Sequence, residues 1–292
     1  MPKADEGAVL ATTSPASTFG YGNTALCTVV KGFSTHSSCL IVTADDVGLH
    51  RGMTEGAIRA HRDGIVTACS IVANGVAFED AVARLRETPS LEVGVHLTLV
   101  EERSLTGMRF PKSYAGFVLG RKDFAAIERE LRAQIERVLS TGLRVTHLNG
   151  HQHLHMWPGV FAIANRLAND YGIGYVRRVR DRGGRGGVVR RLSIAALNAF
   201  GSGGSTIGVM EAGHLTVDRI IDLLSSVERT TELVTHPGIA VEGYSHWRYA
   251  WNAETAALCD RRVRQAIVDA GIELVTPGEK AITTEAQRTQ RK

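Results

Sequence analysis

The chain has 292 residues, of which 43% are hydrophobic and 22% are charged. This composition excludes a wholly disordered protein, and the length is enough to bury a core without disulfides or a structural metal. The net charge is only +4, and seven arginines with one aspartate lie between residues 177 and 191. Because the basic residues sit in one Gly-rich stretch, the composition does not indicate a nucleic-acid-binding face.

The cysteine spacing and the length of the apolar runs indicate the cellular compartment. Cys27, Cys39, Cys69 and Cys259 are scattered without C-x-x-C spacing. No run of 18 apolar residues is present, and the first residues lack the basic-then-apolar order of a secretion signal. We therefore predict a cytoplasmic protein without a membrane span.

The distribution of Ser, Thr, Gly and apolar residues predicts one domain with flexible ends. Residues 1–37 are predicted to be a disordered leader, and residues 281–292 a flexible tail. The domain between them, residues 38–280, contains the Arg/Gly-rich segment 177–191, which we predict to be a solvated loop.

Short apolar runs alternate with helical patterns through this domain. Strands are predicted at 39–44, 65–72, 93–99, 145–149, 173–176, 232–236 and 272–275, and helices at 51–62, 77–87, 122–141, 158–171, 216–228 and 254–270. Such alternation predicts parallel strands with helical crossovers, hence an α/β fold. Seven strands favour a closed or partly closed (β/α) TIM-like barrel over the alternative, a doubly wound sheet.

Polar residues collect where the predicted strands end, which is the edge where parallel α/β folds bind ligands. Asp45 and Asp46 end the first strand. Two adjacent carboxylates raise the pKa of at least one of them unless a cation compensates, so a divalent metal would explain the pair. An exposed turn or a helix cap is the alternative for two adjacent aspartates.

Histidines follow at the ends of later strands. His151, His153 and His155 share one side of the chain if it is extended, whereas His151 and His155 share a face in a helical turn. Either conformation can present imidazoles to a metal, and a surface cluster is the alternative. His96 taken alone is typical of a hydrogen-bonded core residue, and His236 of a strand end or a general acid.

Other catalytic classes lack their motifs. The sequence has no G-x-S-x-G nucleophile motif and no phosphate-binding glycine motif between a strand and a helix. Metal-activated water is the chemistry that remains for these strand-end residues.

Five motifs together resemble one family. They are T-A-D-D-V-G-L (43–49), E-G-A-I-R-A-H-R-D-G-I-V-T (55–67), V-G-V-H-L-T-L (93–99), T-H-L-N-G-H-Q-H-L-H (146–155) and L-V-T-H-P-G (233–238). In this order they resemble the YdjC-type carbohydrate deacetylases, the group that includes the ChbG and HpnK proteins. The resemblance spans about residues 39 to 278, and Val47 stands where the family pattern commonly has Phe.

The resemblance implies a distorted (β/α) barrel that removes the N-acetyl group from an N-acetylglucosamine-type sugar with one divalent metal, magnesium or zinc. Carried over by motif, the metal ligands would be Asp46, His96 and His151, while Asp45 would be the general base and His236 the acid. Further candidates in the same motif are His155 as a reserve ligand, His153 and Asn149.

Aromatic residues after His236 suggest a place for the sugar. Trp247, Tyr249 and Trp251 would form a stacking platform for a sugar ring, or else pack the barrel. The expected partner is an acetylated amino sugar, with a homo-oligomer left open. The alternatives are an amidase acting on a non-sugar amide, a non-catalytic carbohydrate-binding barrel, and nucleic-acid binding through the Arg-rich segment.

Overall fold

The computed structural model describes residues 38–180 and 205–280. The predicted leader, the tail and residues 181–191 of the Arg/Gly-rich segment lie outside the described residues.

The described residues form one parallel sheet that curls into a half-barrel. Its strands are β1 (Cys39–Val47), β2 (Ala68–Ile71), β3 (Glu92–Leu97), β4 (Val145–Gly150), β5 (Tyr175–Val176), β6 (Thr206–Ile207), β7 (Thr230–Thr235) and β8 (Glu273–Leu274). The order across the sheet is β5-β4-β3-β2-β1-β7-β6, and β8 pairs with the start of β1. The predicted α/β fold with parallel strands is therefore confirmed.

Helices connect and cover these strands. They are α1 (Arg51–Arg62), α2 (Phe78–Arg86), α3 (Tyr114–Leu119), α4 (Phe124–Ser140), α5 (Pro158–Asp170), α6 (Val217–Leu224), α7 (Trp251–Leu258) and α8 (Arg261–Asp269). None of the helices in the described ranges combines the length and the apolar character that a bilayer crossing needs.

Strand β1 lies in the interior of the sheet, between β2 and β7, and all nine of its residues are buried. This explains its nearly continuous apolar sequence, because a central parallel strand is covered on both faces. Val47, at the family's Phe position, is fully buried in the main core.

The predicted helix 254–270 is wrong in one respect, because the chain forms two helices there. Asp260 adopts an extended conformation between them, and its carboxylate accepts a hydrogen bond from the backbone N–H of Arg262 at 2.8 Å. This side chain caps α8 and so begins a new helix. The sequence patterns also missed α3 and the two-residue strand β6.

Candidate active site

The strand-end residues singled out from the sequence meet at the carboxyl edge of the sheet. Asp45 and Asp46 lie near the end of β1, His96 lies near the end of β3, His151 follows β4 and His236 follows β7. All five side chains are buried. The parallel order of the strands places them at one edge, as the sequence predicted.

A β-bulge near the end of β1 explains how adjacent aspartates reach the same neighbours. The pairing of β1 with β2 shifts register between Ala44 and Val47, and Asp46 has a left-handed φ of 63°. Successive side chains of a regular strand point to opposite faces, and a bulge changes this direction. As a result His96 lies 3.9 Å from the carboxylate of Asp45 and 3.2 Å from that of Asp46.

Asp46 is at the centre of a three-residue group. Its Oδ1 lies 2.9 Å from Nδ1 of His151 and 3.2 Å from Nε2 of His96. One ligand atom from each of the three residues lies within 4.8 Å of the others, a spacing that suits a shared metal ion. His236 lies slightly further away, with Nε2 4.0 Å from Oδ2 of Asp46.

Asn149 fixes the tautomer of His96. Its side-chain N–H groups donate to Oδ1 of Asp45 at 3.0 Å and to Oγ of Ser70 at 2.7 Å, so its oxygen accepts from Nδ1 of His96 at 2.7 Å. In the neutral imidazole, the lone pair of His96 Nε2 then faces an oxygen of Asp46. A second proton or a metal ion would bind both of these atoms, and imidazole with carboxylate is a usual set of metal ligands.

The pKa shifts of Asp46 and His151 also indicate a site for a cation. Burial alone would raise the pKa of Asp46, but His151 and His96 hold it well below its usual range. Burial disfavours a charged imidazole, but the carboxylates of Asp46 and Glu101 together outweigh this effect and raise the pKa of His151 to about 10. In the metal-free protein a proton on His151 therefore supplies positive charge beside Asp46. The residues fit a divalent cation at this position.

Arg177 corrects the prediction that the Arg-rich segment is solvated from its first residue. The Arg177 side chain is fully buried and donates two hydrogen bonds to Asp45, at 2.5 and 2.9 Å. It also donates to Oε1 of Glu232 at 2.7 and 2.9 Å. Burial would raise the pKa of Asp45, but Arg177 holds it well below its usual range.

The segment after β4 adopts neither of the two conformations considered from the sequence. It is a short 3-10 turn in which Gln152 and His153 have left-handed φ values of 51° and 57°. His155 does not join the group around Asp46, because its Nε2 lies 3.0 Å from the carbonyl oxygen of Arg177. Nδ1 of His153 is buried and has no hydrogen-bond partner among the described residues.

His236 is held through its backbone by a residue that sequence reasoning missed. Glu254 in α7 is fully buried, and its carboxylate accepts the N–H of His236 at 2.6 Å and that of Leu215 at 3.3 Å. Burial raises the pKa of Glu254 to about 7. Burial lowers the pKa of His236, although Asp46 and Asp45 oppose this effect.

Beneath the site, His147 fills space that a glycine leaves open. Nε2 of His147 lies 3.1 Å from Oγ of Ser70, which in turn contacts Asn149. A Cβ placed on Gly94 would lie 2.3 Å from the His147 ring. The absence of a side chain at Gly94 therefore permits this buried contact between β3 and β4.

The predicted aromatic residues lie beside the imidazoles. Trp247 has its ring centroid 5.2 Å from that of His151, and Tyr249 lies 5.2 Å from His236. Trp251 is one step further out, 5.7 Å from Tyr249. Two of the three predicted aromatics thus contact the imidazoles of the site.

A known protein family matches most of the chain. The family model described as YdjC-like protein matches residues 39–269. The chain belongs to this family. A carbohydrate deacetylase of Brevibacillus brevis is 32% identical over 254 residues, which cover 82% of this chain and 98% of the relative. Another, of Geobacillus stearothermophilus, is 30% identical and covers 81% of this chain and 95% of its own length.

The fold also matches a solved structure. A crystal structure of an Enterococcus faecalis V583 protein, 21% identical, superimposes with a TM-score of 0.66 over 83% of this chain and 98% of that chain. This likeness, together with the curled parallel sheet, confirms the TIM-like barrel predicted from the sequence.

Proposed function

We propose that this protein is a metal-dependent carbohydrate deacetylase that hydrolyses the N-acetyl group of an N-acetylglucosamine-type sugar. The relatives that share most of its length are named carbohydrate deacetylases. The observation that carries the metal dependence is the arrangement around Asp46, where one nitrogen of each of two buried imidazoles faces the same carboxylate oxygen. The sugar would belong to an oligosaccharide, a glycolipid or a metabolite glycoside.

Asp46, His96 and His151 would hold the metal. A divalent metal there would supply a Lewis acid that activates water and polarises the acetamide oxygen. Two imidazoles and one carboxylate suit zinc better than magnesium, which prefers oxygen ligands, so both ions belong in the assay.

Asp45 would accept the proton of the attacking water. Arg177 keeps its pKa low, so the carboxylate is ionised throughout the neutral range, and the two hydrogen bonds from the guanidinium fix its orientation. Asn149, at the end of β4, also donates a hydrogen bond to Oδ1 of Asp45. Asp45 is therefore a preoriented base of modest strength.

His236 would donate a proton to the departing sugar amine. Burial lowers its pKa, which makes the protonated imidazole a stronger acid than a solvent-exposed histidine. Nε2 of His236 lies 4.0 Å from Oδ2 of Asp46, and this proximity supports the proposed role.

Trp247 and Tyr249 would bind the sugar ring. Their rings lie beside His151 and His236, so a ring stacked on them reaches the reacting groups. The indole Nε1 of Trp247 is buried without a hydrogen-bond partner among the described residues, and a sugar hydroxyl would satisfy it.

The first test is release of acetate from a panel of N-acetylglucosamine compounds. We expect release by the zinc- or magnesium-loaded enzyme and none after chelation. Asp45→Asn and His236→Asn should each lower kcat by about 100- to 10,000-fold, the usual contribution of a general base or acid.

The matched control is His214→Asn, because His214 also contacts Tyr249 but is exposed. We expect it to retain wild-type activity. Metal binding without acetate release from any sugar would reject the proposal and favour a non-sugar amide or a binding role. The cytoplasmic location and the homo-oligomer remain predictions from the sequence.

A further inference from the structure

Glu101 lies in the loop after β3, and its backbone conformation is unusual. Its φ is 67°, in the left-handed region that non-glycine residues rarely adopt. Its backbone N–H donates to the carbonyl of Pro111 at 3.0 Å. Such a conformation persists where surrounding contacts enforce it, and it is frequent near functional sites.

Two buried side chains of α4 form hydrogen bonds with the backbone of this loop, on both sides of Glu101. Gln134 accepts the N–H of Thr98 and donates to its carbonyl, both at 2.9 Å. Glu130 accepts the N–H groups of Leu105 and Thr106 at 3.0 and 2.9 Å. These hydrogen bonds therefore anchor the loop before Glu101, at Thr98, and after it, at Leu105 and Thr106.

The anchored loop directs the carboxylate of Glu101 towards His151. Oε1 accepts a hydrogen bond from Gln152 at 2.6 Å, and Oε2 lies 3.5 Å from Nε2 of His151. The other nitrogen of His151, Nδ1, faces Asp46, and the Trp247 ring lies beside the imidazole.

The two imidazoles are thus held in the same way. His96 has Asn149 at the nitrogen that faces away from Asp46, and His151 has Glu101 at the corresponding nitrogen. An acceptor at one nitrogen keeps the proton there, so the opposite nitrogen presents its lone pair.

We propose that Glu101 is a positioning residue that accepts the Nε2–H of His151 and so presents Nδ1 to a metal ion held with Asp46 and His96. The proposal rests on the proposed function, because it concerns the same metal centre. Sequence reasoning did not single out Glu101, since its partners lie about 50 residues away in the chain.

The test measures Zn²⁺ binding by titration calorimetry. Glu101→Gly removes the carboxylate and also suits a positive φ, so the loop should retain its conformation. We expect this variant to bind Zn²⁺ about 10- to 100-fold more weakly, the usual effect of removing a partner of a metal-binding histidine. Glu101→Gln keeps an acceptor oxygen and should recover part of the affinity.

Glu102→Gln is the matched control. Glu102 is the adjacent carboxylate, it interacts electrostatically with His151 and Asp46, and its side chain makes no hydrogen bond within the described ranges. If Glu101 acted only through its charge, Glu101→Gln and Glu101→Gly would weaken Zn²⁺ binding equally, and the positioning role would be wrong. We expect Glu102→Gln to bind close to wild type.

Two further readouts separate positioning from a general structural effect. The melting temperature of metal-free Glu101→Gly should be close to that of the wild type, because relief of the positive φ offsets the loss of the contacts with Gln152 and His151. At saturating Zn²⁺ its KM for the sugar should be unchanged.

The two proposals fail differently. Wild-type binding of Zn²⁺ with equally tight binding by Glu101→Gly would overturn the role of Glu101 alone. A wild-type protein that binds neither zinc nor magnesium would overturn the metal-dependent function, and the Glu101 role with it.

Discussion

Glu254 connects two loops of the site through a single carboxylate. Its oxygens accept the N–H groups of His236 and Leu215, and no cationic side chain is among its hydrogen-bond partners in the described residues. Burial raises its pKa to about 7 from the ordinary value of 4.5. Because the folded state holds this proton more tightly than the unfolded state, the associated stability is lost as the pH rises from about 4.5 to about 7.

We predict that Glu254→Gln removes this pH dependence. Relative to the wild type, the free energy of unfolding of the variant should increase by about 2 to 3 kcal/mol between pH 5 and pH 8, because only the wild type loses stability over this range. Urea denaturation of both proteins at the two pH values measures the change. A constant difference between the two proteins would show that the carboxyl is already ionised at pH 5.

Single residues also mark the limit of sequence reasoning. Asp45, Asp46 and His96 could be predicted because they end apolar strand patterns and match short motifs. Arg177 could not, because it stands in an arginine-rich run while its partners, Asp45 and Glu232, are 132 and 55 residues away. Nothing local in the sequence distinguishes a buried arginine from its exposed neighbours.

At the scale of elements, α1 packs closely against the chain that leaves β7. A Cβ on Gly52 would lie 2.0 Å from the carbonyl oxygen of Ile239, and one on Gly56 would lie 2.4 Å from the backbone nitrogen of Gly238. The N–H of Ile239 also donates to the carbonyl of Gly52 at 2.9 Å. The two glycines therefore set the position of the segment that carries His236.

We predict that Gly56→Ala displaces this segment, because both nearest groups belong to the backbone. Overpacking of this kind costs about 1 to 3 kcal/mol of folding free energy. kcat should fall while Zn²⁺ affinity stays close to wild type, since the proposed ligands belong to other strands. The measurements are urea denaturation, acetate release and calorimetry.

Gly116→Ala is the control, since a Cβ on this helical glycine would meet only side-chain atoms, at 3.3 and 3.4 Å. We expect it to fold and react as the wild type does. Equal losses in both variants would mean that Gly56 has no particular link to His236.

Elements were predictable where their patterns were long. Helix α4 was predicted at 122–141 and found at Phe124–Ser140, since its apolar residues recur at helical spacing over 17 residues. Strand β6 has two residues, too few to show any period. The break between α7 and α8 depends on the capping by Asp260, which the helical period does not reveal.

For the molecule as a whole, the core of the barrel includes a patch of unbalanced charge. Asp45, Asp46 and Glu232 are buried carboxylates, and Arg177 is the buried guanidinium that pairs with two of them. A ligand cation at Asp46 would reduce the remaining negative charge. Binding of the cation only to the folded state would stabilise it against unfolding.

We predict that Zn²⁺ raises the melting temperature. At a free concentration 100 times Kd, the folded state should gain about 2.7 kcal/mol. His96→Asn should abolish most of this gain, because Asn can still donate to Asn149 but lacks an atom at the Nε2 position. Thermal melts with Zn²⁺ and with a chelator test this, and a Zn²⁺ effect equal in both proteins would contradict it.

Substitution of Gly94, which lies away from the reacting groups, should also reduce activity. An added methyl group there would move His147, and the displacement would pass through Ser70 to Asn149 and from Asn149 to both Asp45 and His96. None of the first three residues would touch a substrate. A random mutagenesis screen for lost activity should therefore recover Gly94 variants among its inactive clones. Such variants should lie in the interior of the sheet as well as among the residues around Asp46.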